Sequence, residues 1–143
     1  MNRSSMKLKA FHDFVTGLAA LSTCKRAQVG CIIYPEDFSQ VYSIGYNGPS
    51  RGEHNNSCTG EMGSCGCVHA EANALLKLQT IDTKCILLST VFPCIHCAGL
   101  IVNSQRINRV YYINTYRNDR GVKRLNDAGI QVIPIQVILH DQV

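Results

Sequence analysis

The sequence predicts an α/β fold, a three-layer α-β-α sandwich built on a mixed five-stranded sheet. Three observations lead there: apolar residues recur at helical spacing in some segments, β-rich runs fill others, and the two kinds follow one another as α-β-β-α-β-α-β-α-β. The interleaving also places helices on both faces of the sheet.

Phe11, Phe14, Val15 and Leu18 predict an amphipathic helix over residues 7–22, despite Gly17. QVGCIIY (28–34) and QVYSIGY (40–46) flank the turn cluster PEDFS and predict an antiparallel hairpin. Residues 47–67, rich in Gly, Asn, Ser and Cys, show no periodicity and read as a long loop. A helix over 68–78 has Leu75, Leu76 and Leu78 as its apolar side, and KCILLST (84–90) is a continuous apolar run typical of a buried strand. After Pro93 comes a helix over 94–104, then the strand RVYYI (109–113). GVKRLNDA (121–128) is a short helix stopped by Gly129, and IQVIPIQV (130–137) is the last strand.

Length and charge narrow the function. With 143 residues and neither repeat nor linker, the chain suits a single domain over residues 1–143. The 14 Lys and Arg against 10 Asp and Glu give +4, with the basic residues scattered, which fits a small anionic ligand as well as nucleic acid; of the two, the small ligand is the expected partner and nucleic acid is not. MNRSSMKLKAF has no apolar signal core, and no run approaches the ~18 apolar residues of a membrane span, so a soluble, cytoplasmic protein without membrane attachment is expected. In a reducing compartment the eight cysteines read as metal ligands, catalytic groups or core residues. Cys31 and Cys85, in predicted strands, fit the core.

Chemistry concentrates in VHAEANALL and PCIHC. Cys94 and Cys97, i and i+3 in the first turn of a helix, share a face where free backbone N–H groups stabilise thiolates. His69 opens the preceding helix, and the strand between them would bring the two helix N-termini side by side. His69, Cys94 and Cys97 are therefore candidate ligands of a zinc ion with an open fourth position, the catalytic arrangement. One imidazole and two thiolates leave zinc with little net charge, so its water needs a base, and Glu71 is the candidate. His-x-Glu followed by Pro-Cys-x-x-Cys is the pattern of zinc nucleobase deaminases, with the glutamate outside the metal shell. Each half has a plainer reading alone: a structural zinc or redox pair for the cysteines, a helix N-terminal carboxylate for Glu71. His96 reads as a spacer.

With SIGYNGP (43–49) ahead of CVHAEANAL and TVFPCIHCAGLI, and with STCKRAQVGCII and YINTYRND, the chain resembles the cytidine deaminase superfamily over nearly its whole length. Within it, the chain looks like the deoxycytidylate (dCMP) deaminases. The resemblance implies a cytidine deaminase-like sandwich and zinc-dependent hydrolysis of dCMP to dUMP in nucleotide metabolism, Glu71 shuttling protons to N3 and the leaving amine. It implies that Asn47 meets the nucleotide sugar and Tyr116 the phosphate. Ser22, Arg26, Arg117 and Arg120, at the ends of predicted elements, are further candidates for a phosphate cradle.

The same resemblance implies a homo-hexamer switched on by dCTP and off by dTTP. The effector, with Mg2+ on its triphosphate, would sit near Tyr46, Asn47 and Gly48, and Arg51 and Lys77 are candidates for the phosphates. Some relatives carry a second zinc near the 47–67 loop. Here Cys24, Cys58, Cys65 and Cys67, with His54 nearby, offer a closed structural set; the other reading is loose thiols in a mobile loop. The chain departs from the resembled pattern in its short cysteine-laden loop before His69 and in GYNGPSRG, which lacks an extra residue before the proline. Other functions left open are deamination of another base, such as tRNA adenosine or free cytidine, and a non-catalytic zinc-binding module.

Overall fold

The structure is a computed structural model and describes residues 2–140; residues 1 and 141–143 of the expected domain, and the His140 side chain, lie outside the described set. Along the chain run α1 (Arg3–Ala19), β1 (Gly30–Pro35), β2 (Ser43–Tyr46), α2 (Ala70–Lys77), β3 (Cys85–Val91), α3 (Ile95–Ser104), β4 (Ile107–Asn114), α4 (Arg120–Asp127), β5 (Gln131–Pro134) and α5 (Ile135–His140). The five strands form one sheet in the order β2-β1-β3-β4-β5. β1 is antiparallel to β2 and β3, while β3, β4 and β5 are mutually parallel, so the sheet is mixed as expected.

The central strand explains its own composition. Cys85 and Leu87 of β3 face a core with Ala70 and Ala74 of α2, Ala98 and Ile101 of α3 and Leu125 of α4. Ile86 and Leu88 face the opposite core, shared with Leu8, Val15 and Leu18 of α1 and Ile135 of α5. A strand covered on both faces loses the polar–apolar alternation and becomes a continuous apolar run.

Three expectations are corrected. The run IQVIPIQV is not one strand: β5 ends at Pro134 and the chain turns into α5, whose Ile135 is fully buried. Proline has no N–H to extend the ladder, and the apolar residues beyond it fit a helical as well as an extended period. Leu76 is 80% exposed, because the buried face of α2 is Ala70, Glu71 and Ala74. Finally, α1 begins at Arg3, since the Asn2 side chain accepts a hydrogen bond from the Ser5 N–H at 2.9 Å and caps the helix there.

Candidate metal centre and substrate pocket

β3 delivers the chain to Phe92-Pro93-Cys94 at the carboxyl edge of the sheet, where open α/β sheets place their sites. Cys94 is the N-cap of α3 and His69 the N-cap of α2, both with extended backbone. His69 Nδ1 lies 3.5 Å from Cys94 Sγ and 3.3 Å from Cys97 Sγ. Zinc with bonds of about 2.3 Å to sulfur and about 2.0–2.1 Å to nitrogen sets tetrahedral S···N edges of about 3.6 Å. The triangle fits the ion, and a fourth apex remains.

Electrostatics favour the same occupant. The hydrogen bond from Cys97, and then the His69 ring, pull the Cys94 thiol down to about 3, while that same bond, with burial and nearby Glu71, holds the Cys97 thiol well above its usual range. Alone, the pair keeps one proton. A divalent cation removes the repulsion that keeps it there. Glu71, 4% exposed in the first turn of α2, stands outside the ligand group but lines the same pocket, a void of about 60 Å³. Burial pushes its carboxyl up; the helix backbone and the His69 ring pull it back part of the way.

A second set of sulfurs adjoins the first. Cys24 Sγ lies 3.9 Å from both Cys58 Sγ and Cys65 Sγ, and with Cys67 the four sulfurs lie within 4.8 Å of one another. That spacing exceeds the ~2.05 Å of a disulfide. It matches the ~3.8 Å S···S edge of tetrahedral zinc. The Lys25 backbone N–H donates to Cys58 Sγ at 3.3 Å and brings that thiol down to about 6. Gly66, at φ 85°, takes the left-handed turn that lets Cys65 and Cys67 point to one centre. His54 is exposed and its Nδ1 accepts from the Asn56 N–H, away from the four sulfurs. Cys24, Cys65 and Cys67 also line the pocket that holds Glu71.

Next to the metal centre, Arg26, Tyr116, Arg117 and Arg120 converge on a cavity of about 200 Å³ that shares His69 and Cys94 with the catalytic pocket. Arg117 stacks over the Tyr116 ring at 5.3 Å. Exposed His96 lines this cavity too and stands outside the ligand group, as its reading as a spacer between the two cysteines has it. Ser22 departs from expectation: it is buried beneath the Cys24 turn, its hydroxyl accepting from the Cys24 N–H at 3.2 Å, and it does not line this cavity.

Asn47 divides two spaces. Its Nδ2 donates to the Ala27 carbonyl and its Oδ1 accepts from the Val29 N–H, both at 2.8 Å. One side borders the catalytic pocket; the other borders a cavity of about 520 Å³ where Tyr46, Gly48, Arg51 and Lys77 meet. Asn73, absent from the expected residues, joins them and donates from Nδ2 to the Tyr46 carbonyl at 3.0 Å.

A three-layer sandwich presenting His-x-Glu and Pro-Cys-x-x-Cys from adjoining helix N-termini defines a deaminase-type zinc-binding domain. The family model for the cytidine and deoxycytidylate deaminase zinc-binding region matches residues 5–114, and the chain belongs to this family. It is 30% identical over 137 residues to the deoxycytidylate deaminase of Schizosaccharomyces pombe and 33% identical over 137 residues to that of Saccharomyces cerevisiae. Each alignment covers 85% of this chain but 42% of the relative, so the chain spans less than half the length of these yeast proteins. The crystal structure of the cyanophage S-TIM5 dCMP deaminase in complex with dCMP and dUMP is similar along its whole length. It shares a TM-score of 0.78 and 30% identity, covering 94% of this chain and 98% of that one.

Asn47→Ala removes both partners of two backbone groups that the buried carboxamide now satisfies. Both bonds are partly buried, so the variant is expected to lose about 0.5–1.5 kcal/mol of stability for each, read as a shift of the urea midpoint at unchanged slope.

Proposed function

We propose that the chain is a zinc-dependent hydrolase that deaminates dCMP to dUMP, releasing ammonia. One observation carries the reading: buried Glu71 stands outside the His69, Cys94 and Cys97 triangle, and an arginine-lined cavity opens beside that triangle. The dCMP and dUMP held by the similar cyanophage enzyme support this choice of substrate.

His69 Nδ1, Cys94 Sγ and Cys97 Sγ would hold the zinc, which when bound supplies Lewis acidity and lowers the pKa of a water. Glu71 accepts a proton from the attacking water, delivers one to N3 of the cytosine and then carries one to the amine leaving C4. Burial suits it to this exchange, because a raised carboxyl takes up and returns a proton nearer neutral pH. Ala27, Val29 and Phe92 give the base an apolar wall and exclude bulk water. Asn47 fixes that wall where the sugar lies. Arg26, Tyr116, Arg117 and Arg120 hold the 5′-phosphate through charge-assisted hydrogen bonds.

The four sulfurs of Cys24, Cys58, Cys65 and Cys67 fit a second, structural zinc that clamps the 47–67 loop against the pocket. The larger cavity suits a nucleoside triphosphate with Mg2+, Arg51 and Lys77 meeting its phosphates, with dCTP as activator and dTTP as inhibitor. The working form is a cytoplasmic homo-hexamer.

Glu71→Gln should keep its metal and lose about 10²- to 10⁴-fold in turnover. In wild-type protein, dCMP should exceed deoxycytidine in kcat/KM by about 10²-fold or more, since each charge-assisted bond is worth about 1.5–3 kcal/mol. Equal ammonia release from the two substrates, or a metal-free Glu71→Gln, overturns these assignments.

Elemental analysis should find two zinc ions per chain, and one in a variant carrying Cys24→Ala and Cys67→Ala, whose KM for dCMP rises. A single zinc in fully loaded wild-type protein removes the second site.

Saturation with dCMP should be sigmoidal, become hyperbolic with dCTP and shift to higher dCMP with dTTP. Curves that neither triphosphate moves would count against the effector cavity.

A further inference from the structure

We infer that Gly45 and Gly121, two glycines outside the ligand motifs, are positioning residues that set the gap between His69 and Cys94. The inference rests on the zinc reading above. Both glycines are buried and neither has a positive φ, so backbone conformation does not demand glycine at either place. Close approach does. A Cβ on Gly45 would stand 2.2 Å from the Ala70 carbonyl oxygen and 2.8 Å from the Ala74 nitrogen. Ala70 lies between His69 and Glu71. A Cβ on Gly121 would stand 2.0 Å from the Pro93 carbonyl oxygen and 2.8 Å from the carbonyl carbon and oxygen of Cys94.

Both obstacles are backbone atoms, which cannot rotate away as a side chain can. A methyl at Gly121 must therefore displace the backbone of Cys94 itself, and one at Gly45 the backbone of Ala70, the residue between His69 and Glu71. Other bonds hold each contact in place, on both sides of Gly45 and on one side of Gly121. Ser43 Oγ donates to the Ala74 carbonyl at 2.6 Å and Asn73 Nδ2 to the Tyr46 carbonyl at 3.0 Å, fastening α2 onto β2 around Gly45. One turn beyond Gly121, Arg124 Nη1 donates to the Ile95 carbonyl at 3.1 Å, fastening α4 onto the first turn of α3. The ligand triangle sits between these two seats. Its edges of 3.3 and 3.5 Å already match a tetrahedral ion, and a site of this kind tolerates shifts of only about 0.5 Å.

The two seats differ in what else they carry. β2 seats the helix bearing His69 and Glu71, whereas α4 also begins with Arg120 of the phosphate cavity. Gly45→Ala should therefore lower kcat at least 10-fold with KM for dCMP nearly unchanged. Gly121→Ala should lower kcat and raise KM several-fold. In both, one of the zinc ions should pass to a colorimetric chelator at least 10-fold faster than in wild-type protein, measured on folded, zinc-loaded chains. Gly17→Ala, where nothing lies within 4 Å of the added carbon, is the control and should match wild type.

A purely structural role would lower Tm while leaving kcat per folded molecule, KM and zinc release as they are, and that result overturns the inference. Should either alanine variant fail to fold, Ser43→Ala and Arg124→Met decide it, since each removes one fastening without adding volume. Faster zinc release in both supports the seats, and wild-type release and kcat in both refute them. Wild-type protein that neither binds zinc at His69, Cys94 and Cys97 nor turns over dCMP would instead overturn the underlying reading.

Discussion

Two helices begin within a few ångströms of one another, and the gap between their first residues constrains everything around it. His69 and Cys94 are N-caps, so the free N–H groups of α2 and α3 point toward the same small volume as the imidazole and the two thiols. Partial positive charge from both helix ends favours ionised sulfur there. The cost is a concentration of acidic groups: Cys94, Cys97 and fully buried Glu71 raise or lower one another's proton affinity, and a cation among them relieves the conflict. The alanines of α2 have the same origin. Only small side chains at Ala70 and Ala74 let that helix lie close enough to the sheet for His69 to reach across.

The four-cysteine cluster extends the constraint into the long loop. Residues 47–67 form no helix or strand apart from the bridge between Gly48 and Val68, and a segment of that length needs something to hold it. Its cysteines turn inward to meet Cys24, which follows the first helix in the chain. Because Cys24, Cys65 and Cys67 also face the pocket that holds Glu71, whatever fixes the sulfurs fixes one wall of that pocket. Arg26, two residues beyond Cys24, lies under the same restraint.

How much of this could be read in advance depends on the range over which each feature is encoded. The candidate ligands, Glu71 and the alternation of helices and strands are written in short windows: a spacing of two, a spacing of three, a period of 3.6. The grouping of Cys24 with Cys58, Cys65 and Cys67 was legible because a sulfur in a polar loop has few other uses. What escaped depends on contacts between distant segments. Leu76 fitted an apolar stripe, but the face that docks is set by how close β2 approaches. Ile135 fitted a strand until Pro134 ended the ladder. Ser22 looked like an anion donor and is taken by the Cys24 turn, while nothing local marks Gly121 as different from any other glycine, and SIGYNGP marks Gly45 only as part of a motif, not as a seat for a helix. His96 reads as a spacer between the two cysteines and stays outside the ligand group; that it borders the neighbouring cavity depends on distant segments.

Asn47 shows how two spaces can act on each other without a flexible hinge. Asn47 is 6% exposed and its carboxamide bonds at both Oδ1 and Nδ2, so it works as a partition between the pocket that holds Glu71 and the larger cavity. A ligand that pushes on Gly48 or Tyr46 must either carry Ala27 and Val29 along or break two partly buried hydrogen bonds, at about 0.5–1.5 kcal/mol each. Carrying them along is the easier course. Ala27 and Val29 line the pocket that holds Glu71, and Arg26 next to Ala27 lines the arginine-lined cavity beside it, so the movement reaches both spaces together. Coupling needs only that a ligand favour one of two positions of this partition, since a shift in population follows from differential affinity and from nothing else.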